Sequence, residues 1–277
     1  MFDRRRVCRA SRRVSLVGAT VTISAAIIAQ DAERHIRACL VCLRFADEIV
    51  VVDGGSLDRT AENARALGAR VLVRPFDNYA LQRQFALENS HSDWVFFVDH
   101  DERVSAGLAA EIRTVIARDG PDSPVGYWVP RRNYIAGRWT RGGGWSPDRQ
   151  LRLVRRDRSR YDLDRPVHEL VHLDGRDGVL ACAIVHYNYD DYGQFLCKQA
   201  RYALLEAERR RSTGETPSAR RLITSPLREG WRRLVIEGGA RDGIHGVWLA
   251  LGMAWYAFQV EARIRAYSVR VSSARRS

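Results

Sequence analysis

Acidic side chains follow three apolar, strand-like runs within the first hundred residues of the chain. They are Asp31 and Glu33, then Asp53 and Asp58, and finally Asp99 and Asp101. Carboxylates gathered at one edge of a sheet repel one another unless a cation or a ligand rich in donors lies between them. A single acidic strand end is usually a helix cap, but three of them in one sheet predict a ligand site.

The spacing of Asp99 and Asp101 narrows the kind of ligand. In an extended segment the side chains of residues i and i+2 point the same way, so both carboxylates can face one site while His100 is turned aside. Hard oxygen ligands of this kind suit Mg²⁺ or Mn²⁺ that is also bound by substrate phosphates. Gly54, directly after Asp53, permits close approach of a ligand to the backbone. A dinucleotide-binding fold is excluded because no GxGxxG follows the first strand, and no P-loop occurs.

Segments with the apolar spacing of strands alternate with segments that have the apolar spacing of helices, and these elements must position the acids. Strands are predicted at Val21–Ala29, Glu48–Asp53, Ala69–Val73 and Asp93–Val98, and helices at Asp31–Arg44, Asp58–Leu67, Asn78–Asn89 and Ser105–Ala117, the last with Ser105 as its N-cap. This order predicts an α/β fold with a mostly parallel sheet and helices on both faces. In such open sheets ligands bind beyond the carboxyl ends of the strands, which is where the acids lie.

The pattern changes after residue 120. Strands are predicted at Val125–Ile135, Gln150–Arg155 and Val179–His186, with the Gly-rich segment Gly137–Asp148 between the first two, and helices at Tyr192–Arg211, Ser218–Glu237 and Gly243–Tyr267. The chain is therefore divided into a basic tail (1–20), an α/β domain (21–188) and a helical C-terminal region (189–277). Its apolar segment 244–260 is slightly short for a simple span, so a re-entrant or interfacial helix is expected, with a buried core helix as the alternative.

The charge of the 277-residue chain indicates an anionic partner. It has 45 basic and 33 acidic residues and a net charge of +12, and Lys198 is its one lysine. The excess lies at the ends: residues 1–20 carry six Arg and one Asp, and residues 261–277 carry five Arg and one Glu. This distribution favours an anionic membrane surface over a nucleic-acid groove. A twin-arginine export signal in the first 29 residues is the less favoured interpretation, because polar residues dilute the apolar run.

Cysteine usage fits a reducing compartment, because the five cysteines have no regular spacing. Cys39 and Cys42 form a CxxC, but no second pair follows at a zinc-site spacing, so both are interpreted as small apolar residues on one helix face.

Several motifs together resemble an inverting family-2 glycosyltransferase with the GT-A fold. They are the string VVDGGSLDRT, the Asp-x-Asp after WVFFV, and the tail GGARDGIHGVWLALGMAWYAF. The resemblance covers residues 21–190 and the tail, and it is strongest to the lipopolysaccharide-core β-1,4-glucosyltransferases. The sequence departs from that family's pattern at two places. Gln30-Asp31-Ala32 stands where Lys-Asn-Glu is usual, and Gly54 stands where Ser is frequent.

The resemblance implies roles for individual residues. Asp31, Asp53 and Asp58 would bind the donor nucleotide, and Asp99 and Asp101 would hold a divalent metal and the donor diphosphate. Glu169, in the element Val167-His168-Glu169, would be the general base, with Asp148 of the Trp-Ser-Pro-Asp loop as the alternative. Arg149 and Arg152 are candidates for phosphate contacts, although a solvated strand edge is the competing interpretation. His186 is left open between a buried structural histidine and a substrate contact.

The function expected on this basis is metal-dependent, inverting transfer of a sugar from a nucleotide-sugar donor, of the UDP-hexose kind, to a glycan or lipid-linked acceptor. The setting implied is cell-envelope polysaccharide or lipopolysaccharide-core synthesis at the cytoplasmic face of the cell membrane. No nucleic-acid partner is expected. A nucleotidyltransferase of similar fold and an Arg-rich nucleic-acid-binding protein are the alternatives.

Overall fold

The computed structural model describes residues 21–274 except 119, 121 and 164–170, with side chains described as far as residue 267. Strands and helices alternate through its first part. These elements are β1 (Ile23–Ala29), α1 (Glu33–Val41), β2 (Glu48–Asp53), α2 (Thr60–Ala66), β3 (Arg70–Val73), α3 (Tyr79–Glu88) and β4 (Trp94–Asp99). The predicted elements are confirmed here with ends shifted by at most three residues.

Further strands and helices follow in the second part of the chain. They are β5 (Glu102–Arg103), α4 (Ala106–Ala117), β6 (Gly126–Ile135), β7 (Arg138–Trp139), β8 (Arg149–Arg155), β9 (Ser159–Tyr161), β10 (Val171–Leu173), β11 (Asp177–Val179), β12 (Ile184–Tyr189), α5 (Tyr192–Ser212), α6 (Arg221–Trp231) and α7 (Gly243–Ala274). The predicted N-cap of α4 is confirmed, because the Ser105 hydroxyl accepts a hydrogen bond from the backbone N–H of Leu108.

The main sheet has the strand order β3-β2-β1-β4-β8-β6-β12-β5. Strands β3, β2, β1 and β4 are parallel neighbours, β8 is antiparallel to both β4 and β6, and β12 runs parallel to β6. The α/β class and the mostly parallel, mixed sheet are thus confirmed. In register, Ala29 pairs with Asp53 and Ile28 with Asp99, so the predicted acidic strand ends meet at one edge.

Both faces of the sheet are covered, because the central strands are apolar on alternate sides. Ile23, Ala25 and Ile27 pack with the buried faces of α1 and α4, where Cys39 is one of the small core residues. On the opposite face, Val95 and Phe97 pack against α3.

The predicted strand Val179–His186 is wrong as one element, since the structure has two strands, β11 and β12, on successive stretches of β6. The interruption is caused by hydrogen bonds to a distant residue, Glu111 of α4. The backbone N–H groups of Ala181 and Cys182 donate to the Glu111 carboxylate, at 2.7 and 2.8 Å, and so leave the strand ladder.

The last three helices form a C-terminal extension that packs on the sheet domain and on itself. Phe195 of α5 and Leu249 and Met253 of α7 share a buried cluster with Ile135 of β6. Much of the apolar segment 244–260 is therefore core, in agreement with the alternative interpretation. Across the described residues, no helix has the length and apolarity needed to cross a membrane.

The loop Gly137–Asp148 contacts this extension through backbone. A Cβ built on Gly142 would lie 2.2 Å from the carbonyl oxygen of Gly238, in the turn before α7. The N–H of Gly143 donates to the carbonyl of Glu237 at 2.8 Å. Glycine at position 142 is what permits this approach.

Candidate active site

The loop after β2 is braced against the loop after β1. Asp53 is buried and accepts hydrogen bonds from the hydroxyl and the N–H of Ser56. The N–H of Asp31 donates to the Ser56 hydroxyl at 3.0 Å, and the Asp31 carboxylate accepts from the N–H of Leu57 at 2.8 Å. Asp31 has φ of 49°, a left-handed conformation that Asp tolerates better than most residues. Asp31 and Asp53, two of the three aspartates predicted to bind the nucleotide, therefore lie in adjoining loops that share Ser56.

Asp58 is occupied with hydrogen bonds inside this loop. Its carboxylate accepts from the N–H groups of Glu33 and Thr60, both at 2.9 Å, at the first turns of α1 and α2. Although burial acts to raise the pKa of Asp58, the hydrogen bonds from Thr60 and Glu33 lower it overall. The position fits a helix cap; its predicted nucleotide contact stays a prediction.

A cavity of 640 Å³ opens at the carboxyl ends of β1 and β4. Carboxylates, a histidine and cations face one another across it: Asp99, Asp101, His186, Arg152, Lys198 and Arg201. Phe76 and Tyr79, which meet edge to face at 5.0 Å, line its mouth. A charged floor with an aromatic mouth is typical of a site for a phosphorylated ligand that also carries flat or apolar groups.

Asp99 is neutralised by two arginines. Its carboxylate accepts from Arg83 at 2.8 Å and from both terminal nitrogens of Arg152. Arg152 also donates to the fully buried Glu102 at 2.9 Å, and the Glu102 carboxylate accepts from the backbone N–H of Asp99 at 2.9 Å. Arg152 is thus the central cation of a buried cluster rather than part of a solvated strand edge.

The pKa values of this cluster diverge. Burial would raise the pKa of Asp99, but Arg152 and Arg83 hold it well below the usual range. Burial raises the pKa of Glu102, and Arg152 offsets this only in part. Burial acts to lower the pKa of Arg152, but Asp99 and Glu102 raise it overall, which keeps the guanidinium charged.

Asp101 is held by a different partner. The chain turns at His100 and Asp101 instead of staying extended, so the expected alternation of side chains does not apply. Asp101 lies 3.4 Å from Nε2 of His186, while Nδ1 of His186 lies 2.6 Å from the amide oxygen of Asn133. Burial raises the pKa of Asp101, but the contact with His186 lowers it overall.

The partners of Asn133 fix how the ring of His186 is held. The Asn133 amide nitrogen donates to the Trp145 carbonyl at 2.7 Å and to the Asp148 carboxylate at 2.9 Å. Its oxygen must then face His186 and accept from Nδ1–H. The Nε2 of His186 faces the Asp101 carboxylate, and this contact lowers the pKa of Asp101 as an N–H donor would. A histidine whose Nδ1–H is held by an outer partner while its Nε2 faces the site can bind a metal once Nε2 has released its proton.

Asp148 is tightly hydrogen bonded. It accepts from Arg131 Nε at 2.6 Å, from Asn133, and from the Gln150 side chain at 3.0 Å. Burial acts to raise the pKa of Asp148, but Arg131 and the other donors lower it overall. A carboxylate with a lowered pKa and three donors is a weak base, so this environment favours a role in positioning Asn133.

The remaining predicted residues lie apart from this group or outside it. Arg149, at the start of β8, is exposed and is not among the residues that line the cavity. Glu169 lies outside the described residues, and its role as the base stays a prediction, as does that of Asp99 as a metal ligand. Of the residues described, no three His, Cys, Asp or Glu side chains converge as a metal site.

Sequence reasoning missed Lys198, Arg201 and Arg83. Lys198, on α5, lies 5.0 Å from the ring centroid of Tyr189, and its ammonium group lies 3.4 Å from the Asn188 carbonyl. A signal was present, because Lys198 is the one lysine in a chain that otherwise uses arginine. A lysine and an arginine on one helix facing acids across a cavity are suited to phosphate oxygens.

Comparison with known proteins gives matches over most of the chain. Residues 24–166 match the model of Glycosyl transferase family 2. A protein of Rhizobium meliloti, the lipopolysaccharide core biosynthesis glycosyltransferase LpsC, is 32% identical over 87% of this chain and 91% of its own length. An uncharacterized glycosyltransferase of Rickettsia bellii is 38% identical over 40% of this chain and 38% of its own.

Solved structures give more distant matches. Glucosyl-3-phosphoglycerate synthase from Mycobacterium tuberculosis, in complex with Mn²⁺, UDP and glucosyl-3-phosphoglycerate, is 18% identical with a TM-score of 0.41, over 61% of this chain and 72% of that one. TarS of S. aureus is 16% identical with a TM-score of 0.41, over 67% of this chain and 40% of that one.

Proposed function

Because the chain belongs to glycosyl transferase family 2 and is a glycosyltransferase, we propose that it transfers a hexose from a UDP-hexose to a lipid-linked core glycan. The observation that carries the proposal is the cavity at the carboxyl edge, where Asp101 and His186 face Lys198 and Arg201. The name of the Rhizobium meliloti relative supports an acceptor in the lipopolysaccharide core. The reaction would take place at the cytoplasmic face of the membrane.

A divalent cation fits the residues present. Asp101 offers a carboxylate with a lowered pKa, and His186 offers its Nε2 in a ring whose orientation is fixed by the contact between Nδ1 and Asn133. An oxygen and an imidazole nitrogen suit Mn²⁺, and also Mg²⁺ when substrate phosphates and water complete its shell. Such an ion supplies positive charge beside the leaving diphosphate. The carboxylate of Asp99 is already neutralised by Arg83 and Arg152, so we assign it to holding the floor of the site.

The chain's own groups would divide the transfer as follows. A carboxylate, which we assign to Glu169, removes the proton of the acceptor hydroxyl as its oxygen attacks the anomeric carbon. The bond between that carbon and the diphosphate oxygen breaks, and UDP leaves with the bonding electron pair. Lys198 and Arg201 would hold the diphosphate with fixed positive charge, while the neighbouring loops with Asp31 and Asp53 hold the nucleoside.

The experiment that tests this function uses the full-length chain. Thermal unfolding is followed with UDP, GDP, ADP or CDP, each with Mn²⁺ or with EDTA, because a ligand that binds only the folded state raises its stability. We expect stabilisation by UDP with Mn²⁺ and its loss in His186→Gln. Release of UDP from UDP-glucose or UDP-galactose is then measured with extracted core lipid, and linkage analysis identifies the product. Stabilisation by another nucleotide, or UDP release that is unaffected by EDTA, would contradict the proposal.

A further inference from the structure

Two helices of the extension expose rows of large apolar side chains. On α6, Ile223, Leu227 and Trp231 are four residues apart and are 66%, 69% and 63% exposed. On α7, the row is Ile244, Val247, Leu251 and Trp255, at spacings of three and four. Such spacing places each row on one face of its helix. These seven residues are called the apolar face.

The two rows lie on the same side of the helix pair. Ser225 donates to Glu261 and Gly230 lies against Ala254, so α6 and α7 run antiparallel. A groove of 1360 Å³ opens between α5, α6 and α7, with Ser225 and Glu261 in its lining. On α7, Ala254 lies between the exposed row and the groove-lining side chains of Met253, Ala257 and Val260. Because the helices are antiparallel, this order brings both rows together on the side away from the groove. The apolar face is therefore one surface.

Positive charge borders this surface. Arg220 and Arg228 of α6 are each three residues before a member of the exposed row, at the outer edge of α6 where the apolar face meets the rim of the groove. Both are exposed, and within the described part of the chain no carboxylate forms an ion pair with either. The face itself presents Trp231 and Trp255, a residue type enriched where a protein meets the headgroup region of a membrane. A continuous apolar patch bordered by unpaired arginines is complementary to anionic lipid, which combines an apolar interior with negative headgroups.

We propose that the apolar face is a membrane-docking surface that lies in the headgroup region of an anionic bilayer. This inference deepens the proposed function and depends on it in one respect: a lipid-linked acceptor explains why docking is useful. Arg233, two residues after the end of α6, lies 5.0 Å from the ring centroid of Trp145 and donates to the Gly143 carbonyl at 2.6 Å. Docking therefore holds the loop Gly137–Asp148, which borders the active site, close to the lipid that carries the acceptor.

The test is flotation of the full-length protein with vesicles of phosphatidylethanolamine and phosphatidylglycerol, with phosphatidylcholine vesicles as the neutral comparison. We expect Leu227→Glu/Trp231→Glu to weaken binding by at least about a hundredfold, because two large apolar groups no longer enter the lipid. Leu205→Glu is the matched control, since Leu205 is 52% exposed on the side of α5 away from α7, and it should bind as the wild type does. Ile223→Glu/Leu251→Glu is a second pair, in case the first fails to fold.

The arginines are tested separately. Arg220→Gln and Arg228→Gln should each weaken binding about fivefold at low salt and have little effect at high salt. Arg65→Gln is the matched control, because Arg65 is an exposed arginine of α2, away from the apolar face. All variants should keep the stabilisation by UDP and Mn²⁺, so a failure of docking is distinguishable from a failure of the proposed chemistry. Wild-type protein that does not float would overturn the inference, as would face variants that float normally. Sedimentation showing that the face variants abolish a dimer instead would assign the surface to a second copy of the chain.

Discussion

Arg152 is the residue whose removal should cost the sheet domain most. Its side chain is 5% exposed and is bonded to Asp99 and to Glu102, which is fully buried. In Arg152→Leu these carboxylates lose the cation that lies between them, although Arg83 still contacts Asp99 and Arg131 still lies 3.5 Å from Glu102. Removing one partner of a buried ion pair costs about 3–5 kcal/mol when the other charge stays buried and unpaired. Because each carboxylate keeps one arginine, we expect the free energy of unfolding to fall by an amount at the lower end of that range, about 3 kcal/mol, at neutral pH.

The pH dependence of this loss gives a sharper test. Burial already raises the pKa of Glu102 in the folded state, and removing Arg152 takes away the strongest of the groups that offset this, although Arg131 remains. A folded state that binds a proton more tightly than the unfolded chain gains stability as the pH falls. The deficit of Arg152→Leu should hence shrink between about pH 7.5 and about pH 5.5 as Glu102 takes up a proton. Asp99 does not reverse this trend, because its lowered pKa matters only below the pKa of an unfolded Asp.

Urea unfolding at both pH values measures the two effects. Arg155→Leu is the matched control, because Arg155 is on the same strand and pairs with the exposed Asp157, a contact worth about 1 kcal/mol or less. Adding Glu102→Gln to Arg152→Leu should recover part of the loss, since the second change removes a buried negative charge that has lost its strongest partner. A loss below about 1 kcal/mol, or one that is equal at both pH values, would refute the idea that Arg152 compensates buried negative charge.

Three further predictions concern catalysis. Asp101→Asn should nearly abolish metal-dependent UDP binding and transfer while the melting temperature without ligand stays close to that of the wild type; wild-type turnover would rule out the metal role. Glu169→Gln should lower kcat by about two to four orders of magnitude with donor affinity unchanged, and Asp148→Asn giving that pattern instead would move the base to Asp148. Lys198→Met should weaken UDP binding about tenfold or more, because a charged contact to phosphate is lost, and Lys198→Arg should recover part of the affinity. Both affinities are measured by calorimetry. The same variants should bind UMP almost as the wild type does, and an equal loss for UMP would indicate a general disturbance of the site instead of a lost diphosphate contact.

The parts of the fold set by local pattern could be predicted from the sequence. Strands β1 to β4 are apolar runs bounded by polar segments, and each predicted strand starts and ends within two residues of the structure. Their parallel order then places Asp31, Asp53 and Asp99 at one edge, because carboxyl ends of parallel strands meet there. The division of β11 from β12 was missed because it depends on Glu111, about 70 residues away, which removes two N–H groups from the ladder.

The partners within the site could not be predicted in the same way. Asp101 and His186 are 85 positions apart, and they meet only because β12 pairs with both β5 and β6. The alternation of side chains along a strand instead predicted that Asp99 and Asp101 face one site. The chain turns at His100, so that Asp99 is bonded to Arg83 and Arg152 while Asp101 contacts His186. Long-range ion pairs of this kind leave no periodic trace in a sequence.

The backbone contact between Gly142 and Gly238 determines how far this enzyme can be treated as separable parts. A catalytic domain and a helical anchor joined by a linker could be exchanged by recombination, or one could be removed to give a more soluble protein. Here a single added methyl group at Gly142 would collide with the Gly238 carbonyl, so the loop and the extension must be inherited as a matched pair. Chimaeras between related enzymes should therefore keep residues 137–148 and the turn before α7 from the same parent.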